Sequence, residues 1–223
     1  MAGSTAERSV WAPSPSCRYG GLRLVAKRLL DLTVAIPMLV ASAPLLAMVS
    51  LAVRVDSGGP VLYRQVRVGR HGRRFTILKF RTMHIDADSR LRSDPDLWRR
   101  YLDGGFKLSL EEDPRVTRIG ALLRKTSLDE LPQLLNVIRG DMSMVGPRPV
   151  IPEELEQYGR LLPAYLMASP GLTGAWQVAG RDAVRFPGRA QLDADYVERW
   201  SLAADIGIIM RTVPAAISAR DVR

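Results

Sequence analysis

The stretch LTVAIPMLVASAPLLAMVSLAV, residues 32–53, runs for 22 residues without a charged side chain. A helix of this length can cross the hydrocarbon core of a bilayer, which is about 30 Å thick. A buried helix of a soluble protein is the alternative, but such helices rarely lack a polar face over so many turns. The sequence therefore predicts a membrane-embedded helix near the start of the chain.

Two prolines, Pro37 and Pro44, lie inside this apolar run. Each removes a helical hydrogen bond and clashes with the preceding turn, and the Ser42 hydroxyl is a nearby partner for a carbonyl freed in hydrocarbon. Basic residues flank both ends of the run, namely Arg18, Arg23, Lys27, Arg28 and Arg54. A straight span would place one basic flank outside the cell, against the usual tendency. We therefore predict a re-entrant membrane helix over residues 23–55, broken at Ser42 and Pro44.

Positive charge dominates the chain, which carries 32 Lys and Arg against 23 Asp and Glu, a formal net charge of +9. The excess is concentrated in residues 54–81, where Asp56 is the one acid. Such a balance indicates an anionic partner: nucleic acid, anionic lipid or a phosphorylated substrate. Because no recognised nucleic-acid motif accompanies the charge, we expect no nucleic-acid partner. The single cysteine, Cys17, excludes an internal disulfide.

The segment PVLYRQVRVGRHGRRFTILKFRTM, residues 60–83, predicts a β-hairpin with its turn at residues 69–72. Residues 1–22 are expected to form a disordered lead. The run at 192–217 predicts two short helices. Trp200 and the apolar residues after it suit either a helix in the membrane interface or ordinary core packing, and the sequence leaves both open.

Adjacent carboxylates, Asp129 and Glu130, stand in RKTSLDELPQLLNVIRGDMSMVGPRP, residues 124–149. One interpretation is structural: Ser127 and Glu130 fit a capping box, and acids at a helix N-terminus complement its dipole. The other is chemical, because cations surround the pair, namely Arg115, Arg118, Arg124, Lys125, Arg139 and Arg148. A carboxylate beside phosphate-binding arginines can attack phosphorus, and its neighbour can hold the Mg²⁺ that diphosphates carry.

Four motifs occur in a fixed order along most of the chain: KRLLDL, GGPVLYRQVRVGRHGRRFTILKFRTM, DPRVTRIGALLRKTSLDELPQLLNVIRGDMSMVGPRP and PGLTGAWQVAGR. Together they resemble the bacterial sugar transferases, the monotopic polyprenol-phosphate phosphoglycosyl transferases that begin surface-glycan assembly. The large multi-span N-terminal domain of some members is absent, so the chain resembles the short form.

The resemblance implies an enzyme that moves a sugar 1-phosphate from a UDP-sugar onto undecaprenyl phosphate, releasing UMP. It implies that Asp129 is the nucleophile and Glu130 the Mg²⁺ ligand. Arg124 and Arg148 would contact phosphate, and the Lys79 and Arg81 side chains would line the same site. The implied partners are the UDP-sugar, undecaprenyl phosphate and the bacterial inner membrane, and a homodimer is a candidate assembly.

The sequence thus predicts an α+β protein: a mainly helical monotopic membrane protein with a re-entrant N-terminal helix hairpin and a small β-hairpin. Residues 56–212 are expected to form a catalytic domain with interfacial helices on the cytoplasmic face of the cell membrane, followed by a tail at 213–223. Two alternatives remain open. One is a membrane-tethered basic adaptor that binds anionic lipid or nucleic acid without catalysis, and the other is a direct one-step transfer in which Asp129 acts as a base.

Overall fold

A computed structural model describes residues 21–103, 108–110, 112–180 and 184–218. Most of the predicted N-terminal lead, residues 1–20, and the last five residues of the predicted tail lie outside this range. Gly21 and Leu22, which were expected to be disordered, belong to the first helix.

Helices form most of the described chain. The long helices are α1 (Gly21–Ser57), α8 (Gly188–Glu198) and α9 (Leu202–Ser218). The shorter helices are α2 (Ala87–Ser93), α3 (Pro95–Asp103), α4 (Arg118–Thr126), α5 (Gln133–Arg139), α6 (Leu162–Met167) and α7 (Ala175–Val178). The strands are β1 (Leu62–Val68), β2 (Arg74–Phe80), β3 (Ser143–Val145) and β4 (Gly171–Thr173). Segments of 3₁₀-helix are Arg70–Gly72, Leu128–Glu130 and Pro152–Leu161.

The predicted β-hairpin is confirmed. Strands β1 and β2 pair antiparallel with Leu62 opposite Phe80 and Val68 opposite Arg74. The 3₁₀ turn between them needs left-handed backbone at His71, with φ of 58°, and at Gly72, with φ of 75°. Glycine adopts that conformation without the steric cost that other residues meet, so the sequence places a glycine at the sharpest point of the turn.

Helix α1 is long and apolar enough to cross a membrane, and only 11% of its most apolar 18-residue window is buried. A core helix of a soluble protein would be mostly buried. The helix continues through Pro37 and Pro44, so the structure assigns one helix across the expected break. The Ser42 hydroxyl donates a hydrogen bond to the Leu39 carbonyl, at 3.2 Å. The re-entrant turn stays a prediction.

Both ends of α1 contact the rest of the protein. Near its start, the buried Lys27 Nζ lies 2.7 Å from Asp205 Oδ2 in α9 and donates to the Val145 carbonyl at the end of β3. Near its end, Asp56 Oδ2 accepts a hydrogen bond from the Ile119 amide of α4. The two contacts anchor α1 at both ends.

Two buried apolar clusters fill the space between α1 and the remaining elements. The larger lies between the first half of α1, strand β2, helix α5 and strand β3, and includes Ala35, Ile77, Leu134, Val137 and Met144. The smaller lies under the second half of α1 and consists of Val49, Val53, Phe80 and Leu123. At about 25 cal/mol per Å² of apolar surface removed from water, such contacts are the main source of stability.

Strand β2 is fixed to α5 by one buried amide. Asn136 is fully buried, its Nδ2 donates to the Thr76 carbonyl at 2.7 Å, and its Oδ1 accepts from the Leu78 amide at 3.0 Å. The amide thus replaces a neighbouring strand at this edge of β2. It fixes the position of β2 relative to the segment that precedes α5. That segment carries the paired acids.

The two predicted C-terminal helices are present as α8 and α9. Trp200, in the connection between them, is 5% exposed, and its Nε1 donates to Asp205 Oδ2 at 3.0 Å. Core packing is therefore the correct interpretation for Trp200. Ile206 and Met210 of α9 are 51% and 71% exposed, which is typical of a helix face that another apolar phase covers.

Candidate active site

The two acids lie on the 3₁₀ turn Leu128–Glu130, between α4 and α5. Ser127 precedes it in the left-handed conformation, with φ of 56°, and its amide donates to the Arg124 carbonyl, so it ends α4. The Ser127 side chain makes no capping bond to the turn. The predicted capping box is therefore wrong: Ser127 has left-handed backbone, whereas an N-cap residue typically has extended backbone.

Glu130 is paired with a lysine from the hairpin. Lys79 Nζ lies 2.6 Å from Glu130 Oε1, and the two side chains are 19% and 38% exposed. Lys79 follows Leu78, whose amide is bound by Asn136 in α5. The same amide that docks β2 on α5 therefore brings the ammonium group to the acid turn.

Arg124 reaches the same region from the last turn of α4. Its Nε donates to Thr82 Oγ1 at 2.9 Å. Helix α4 sits directly on the backbone of Thr82, since the Thr117 amide donates to the Thr82 carbonyl at 3.1 Å and a Cβ at Gly120 would overlap that carbonyl. The absence of a side chain at Gly120 thus lets α4 approach closely enough to position Arg124.

Asp129 is half-buried and its ionisation is perturbed. Burial and, next, the negative charge of Glu130 raise its pKa, Lys79 and Arg124 act in the opposite direction, and the net pKa is about 6. A carboxylate of this pKa is mostly ionised at neutral pH and is more basic than an ordinary aspartate. Such a group suits nucleophilic attack, because nucleophilicity rises with basicity while the charged form must still be present.

Arg81, which was expected to line the same site, lies at the end of α1. Its Nη2 donates to Ser57 Oγ at 2.8 Å and to the Gly58 carbonyl. The side chain is buried, and its Nε and Nη1 have no hydrogen-bond partner in the structure. The contacts found for Arg81 therefore connect the hairpin to the membrane helix.

Arg148 lies in a second cluster. Its guanidinium carbon is 5.7 Å from the centre of the Trp176 ring. Burial lowers the pKa of the Arg67 guanidinium, and the positive charge of Arg148 is the second cause of that lowering. The structure therefore brings together Asp129, Glu130, Lys79 and Arg124, and gives Arg148 a separate set of neighbours.

Three residues near these clusters were not singled out from the sequence. Thr82, which receives Arg124, follows Lys79 and Arg81 in the motif KFRTM, so its place in that motif could have indicated it. Arg189 and Asp193 lie in α8 and contribute to the second cluster. No local pattern marks them, since only the fold brings α8 against residues 148–176.

The acid turn is compatible with Mg²⁺. The described residues contain no group of three or more His, Cys, Asp or Glu side chains that could hold a metal ion. Mg²⁺ does not need one, because it is usually bound by one or two carboxylates together with substrate phosphates and water. Glu130 and the neighbouring Asp129 are two carboxylates on one turn, so the residues present fit this kind of site.

Comparison with protein families gives a match over nearly all of the described chain. The family described as bacterial sugar transferase matches residues 22–219.

Individual relatives agree with the family match. The chain is 45% identical over 200 residues to an "Exopolysaccharide production protein ExoY" of Sinorhizobium fredii, covering 88% of this chain and 87% of that protein. It is 42% identical over 200 residues to the "UDP-glucose:undecaprenyl-phosphate glucose-1-phosphate transferase" of Caulobacter vibrioides, covering 86% and 70%. It is 44% identical over 195 residues to the "Undecaprenyl-phosphate galactose phosphotransferase" of Salmonella typhimurium, covering 86% of this chain but 40% of that longer protein.

Proposed function

Because the chain belongs to the bacterial sugar transferase family and is a phosphoglycosyl transferase, we propose that it transfers a sugar 1-phosphate from a UDP-sugar to undecaprenyl phosphate and releases UMP. The product would begin the assembly of an exopolysaccharide or another surface glycan, as the name of the Sinorhizobium relative suggests. The observation that carries the proposal is the placement of Asp129 between Glu130, Lys79 and Arg124.

Asp129 is the nucleophile in this proposal. Its carboxylate attacks the sugar-bearing phosphorus of the UDP-sugar, an Asp129 O–P bond forms, and the bond to the bridging oxygen breaks so that UMP leaves. An oxygen of undecaprenyl phosphate then attacks the same phosphorus, and the Asp129 carboxylate is regenerated. Two steps let a soluble donor and a lipid acceptor use one small site in turn.

Charge and geometry divide the roles of the two acids. The Glu130 carboxylate is held by Lys79 at 2.6 Å, which lowers its availability as a nucleophile. Asp129, with a pKa raised to about 6, keeps both its charge at neutral pH and its basicity. Lys79 and Arg124 add positive charge where the phosphoryl oxygens become more negative in the transition state.

Glu130 would hold Mg²⁺, with the diphosphate of the donor supplying further oxygen ligands. When bound, the ion neutralises phosphate charge and helps the leaving UMP to accept electrons. Lys79 would then keep the Glu130 side chain aimed at the phosphates and prevent it from turning toward Asp129.

The protein would be monotopic, with α1 entering the membrane and returning to the cytoplasmic face. The contacts at its two ends support this. Lys27 near the start is bound to Asp205, and Asp56 near the end is bound to Ile119, so both ends lie against the same catalytic part of the chain. A straight span would carry one of these ends across about 30 Å of hydrocarbon.

A two-part experiment tests the proposal. Purified protein in detergent, with Mg²⁺ and undecaprenyl phosphate, should release UMP from at least one member of a panel of UDP-sugars. Protein quenched with that UDP-sugar in the absence of lipid should carry a sugar-phosphate adduct on the peptide that contains Asp129, detected by mass spectrometry. The Asp129→Asn variant should show neither signal.

Other outcomes separate the alternatives. UMP release without an adduct, in kinetics that require both substrates bound together, would favour direct transfer with Asp129 as a base. Full UMP release by Asp129→Asn would remove Asp129 from the chemistry altogether.

A further inference from the structure

A shallow cleft, open to solvent, lies beside Arg148, away from the acid turn. Its walls come from the segment after β3, the 3₁₀ helix Pro152–Leu161, helix α7 and the start of α8, and they are formed by Arg148, Val150, Glu154, Tyr158, Trp176, Phe186 and Arg189. The lining combines aromatic rings with two guanidinium groups. Ligand pockets of this kind have apolar walls and a few charged groups that fix orientation.

Both arginines face the same aromatic ring. The guanidinium carbon of Arg189 lies 4.5 Å from the centre of the Trp176 ring, and that of Arg148 lies 5.7 Å from it. Arg189 is also 6.0 Å from the centre of the Phe186 ring. A guanidinium close to aromatic rings offers a planar surface on which a nucleobase can stack, and its Nη atoms can donate to phosphate oxygens, while the Nε of Arg189 donates to the Val184 carbonyl.

Two of the described acids, Glu154 and Asp193, lie at or near the cleft. Glu154 lies 3.6 Å from Arg67 and accepts from the Ile151 amide, so its carboxylate is engaged at the edge. Asp193 is 1% exposed, and its Oδ2 accepts from the Tyr158 hydroxyl at 2.9 Å, but its Oδ1 has no hydrogen-bond partner. Burial raises the pKa of Asp193 to about 7, so its negative charge is incomplete at neutral pH.

Asp193 lies close enough to both arginines of the cleft to feel their charge. It lies four residues after Arg189 in α8, on the same face of the helix, and the charges of Arg148 and Arg189 both stabilise its carboxylate. The cleft therefore presents two guanidinium groups that can bind an anion and aromatic side chains that can contact a planar ring.

The hairpin connects this cleft to the acid turn. Lys79 and Phe75 lie four residues apart on one face of β2, and Phe75 is paired with Arg67 of β1. Lys79 contacts Glu130, whereas Arg67 donates to the Pro149 carbonyl, beside Arg148. At about 3.3 Å per residue, Lys79 and Phe75 are about 13 Å apart along β2. This distance is on the scale of an extended nucleoside diphosphate.

We propose that this cleft binds the nucleoside monophosphate half of the sugar nucleotide, an assignment that rests on the proposed function. The base stacks in the cleft against the Arg189 guanidinium, which Trp176 and Phe186 hold, and Arg148 contacts the phosphate nearer the ribose. The rest of the donor then reaches the acid turn, with its sugar-bearing phosphate at Asp129. The residues of the cleft determine which nucleotide is accepted, and those of the acid turn perform the transfer.

The test is UMP binding to the full-length protein in detergent, measured by equilibrium dialysis. Arg189→Ala and Trp176→Leu should each weaken UMP binding by roughly 10-fold or more, on the scale of one base-stacking contact. Arg189→Lys, which keeps the charge but loses the flat donor surface, should also weaken it. The control is Arg199→Ala, at the exposed C-terminal end of the same helix, which should bind UMP as the wild type does.

A direct measurement covers the case in which a variant folds poorly. Irradiation of the wild-type protein with 4-thiouridine monophosphate should cross-link the base to the peptide that contains Trp176 or to the one that contains Arg189. Cross-linking confined to the peptide that contains Asp129 would overturn the assignment. So would an equal loss of inorganic phosphate and UMP binding in Arg189→Ala, since the cleft would then be a general anion site.

The two proposals fail in different ways. If the wild type releases UMP from a UDP-sugar while Arg189→Ala and Trp176→Leu bind UMP unchanged, the cleft assignment falls and the proposed function stands. If the wild type neither binds nor releases UMP, both are wrong.

Discussion

Lys79 of the hairpin lies 2.6 Å from Glu130, the second of the two acids on the turn between α4 and α5. The same ammonium group lowers the pKa of the neighbouring Asp129, against the larger effects of burial and of Glu130, which raise it to about 6. One lysine therefore neutralises the acid that would hold the metal and keeps the acid that would attack phosphorus ionised.

Removal of the lysine charge should shift the pH dependence of the reaction. In the wild type, kcat/KM should rise with pH through an apparent pKa of about 6, because the free enzyme needs the Asp129 carboxylate. In Lys79→Met the missing positive charge should move that acid limb to higher pH. UMP release measured from pH 5 to pH 9 checks this. Lys125→Met, an exposed lysine in α4, is the control, and an acid limb unchanged in Lys79→Met would contradict the assignment.

Stability should depend on Asp129 in the opposite sense to activity. Its folded pKa of about 6 lies above the usual value of 3.8. The free energy of unfolding should therefore fall as pH rises from about 4 to about 6 and stay at the lower value above that range. Asp129→Asn removes the charge and should raise the free energy of unfolding at pH 7 by about 1–2 kcal/mol, allowing for partial exposure. At pH 4 the two proteins should melt alike. A lower melting temperature of Asp129→Asn at pH 7 would show that the carboxylate has a structural role.

Arg124 should contribute to the transition state. Arg124→Ala should lower kcat/KM by roughly 10²-fold, the scale of one electrostatic contact to a developing negative charge. Lysine at this position should recover part of the activity, because the charge returns without the Nε donor that binds Thr82. Lys125→Ala, the adjacent and exposed cation, should leave kcat/KM within about twofold. An Arg124→Ala enzyme as active as Lys125→Ala would place Arg124 outside the site.

Patterns of neighbouring residues predicted those elements of the fold that depend on short stretches of sequence. The apolar run, the hairpin and the paired acids were all predictable, because length, alternation and turn residues specify them. The acid turn itself was misinterpreted: a serine that looks like an N-cap can equally end the preceding helix in a left-handed conformation, and sequence spacing does not separate the two. The Gly120 contact with Thr82 decides how close α4 can come, and it is visible only in the fold.

Long-range pairs were beyond any sequence pattern. Lys27 and Asp205 are 178 positions apart, and Lys27 resembles every other basic residue that flanks the apolar run. Asn136, which docks β2 on α5, stands in an ordinary helical segment. The contacts of Arg189 and Asp193 were equally hidden from the sequence. Their four-residue spacing indicates a shared helix face but does not indicate what that face contacts.

The buried pair of Lys27 and Asp205 should matter for stability more than an exposed ion pair. Asp205 is fully buried and also accepts hydrogen bonds from Tyr196 and Trp200. Lys27→Met would leave a buried carboxylate without its cation, at a cost of about 3–5 kcal/mol, whereas the double change with Asp205→Leu should cost less. Thermal unfolding in detergent measures both. The exposed pair of Arg90 and Asp86 is the control, and Arg90→Met should change the melting temperature little.

The proposed re-entrant path of α1 rests on the contacts at its two ends. Lys27 and Asp56 both contact the catalytic part of the chain, so a re-entrant path keeps both contacts and a straight span must break one. A reporter tag at residue 5 should therefore be shielded from external reagents in intact cells, as should a tag at the C-terminus.

Replacing Pro37 and Pro44 together by leucine restores the helical hydrogen bonds that proline removes, and an unbroken helix is the more stable form in hydrocarbon. We expect leucine to favour a path across the bilayer, so the N-terminal tag should become accessible from outside, and activity should fall because a spanning helix separates Lys27 from Asp205. Lys27→Met with the prolines intact separates the two effects, since it removes the contact without straightening the helix and should leave the tag shielded. Labelling of the N-terminal tag from outside in the wild type would mean that α1 spans the membrane.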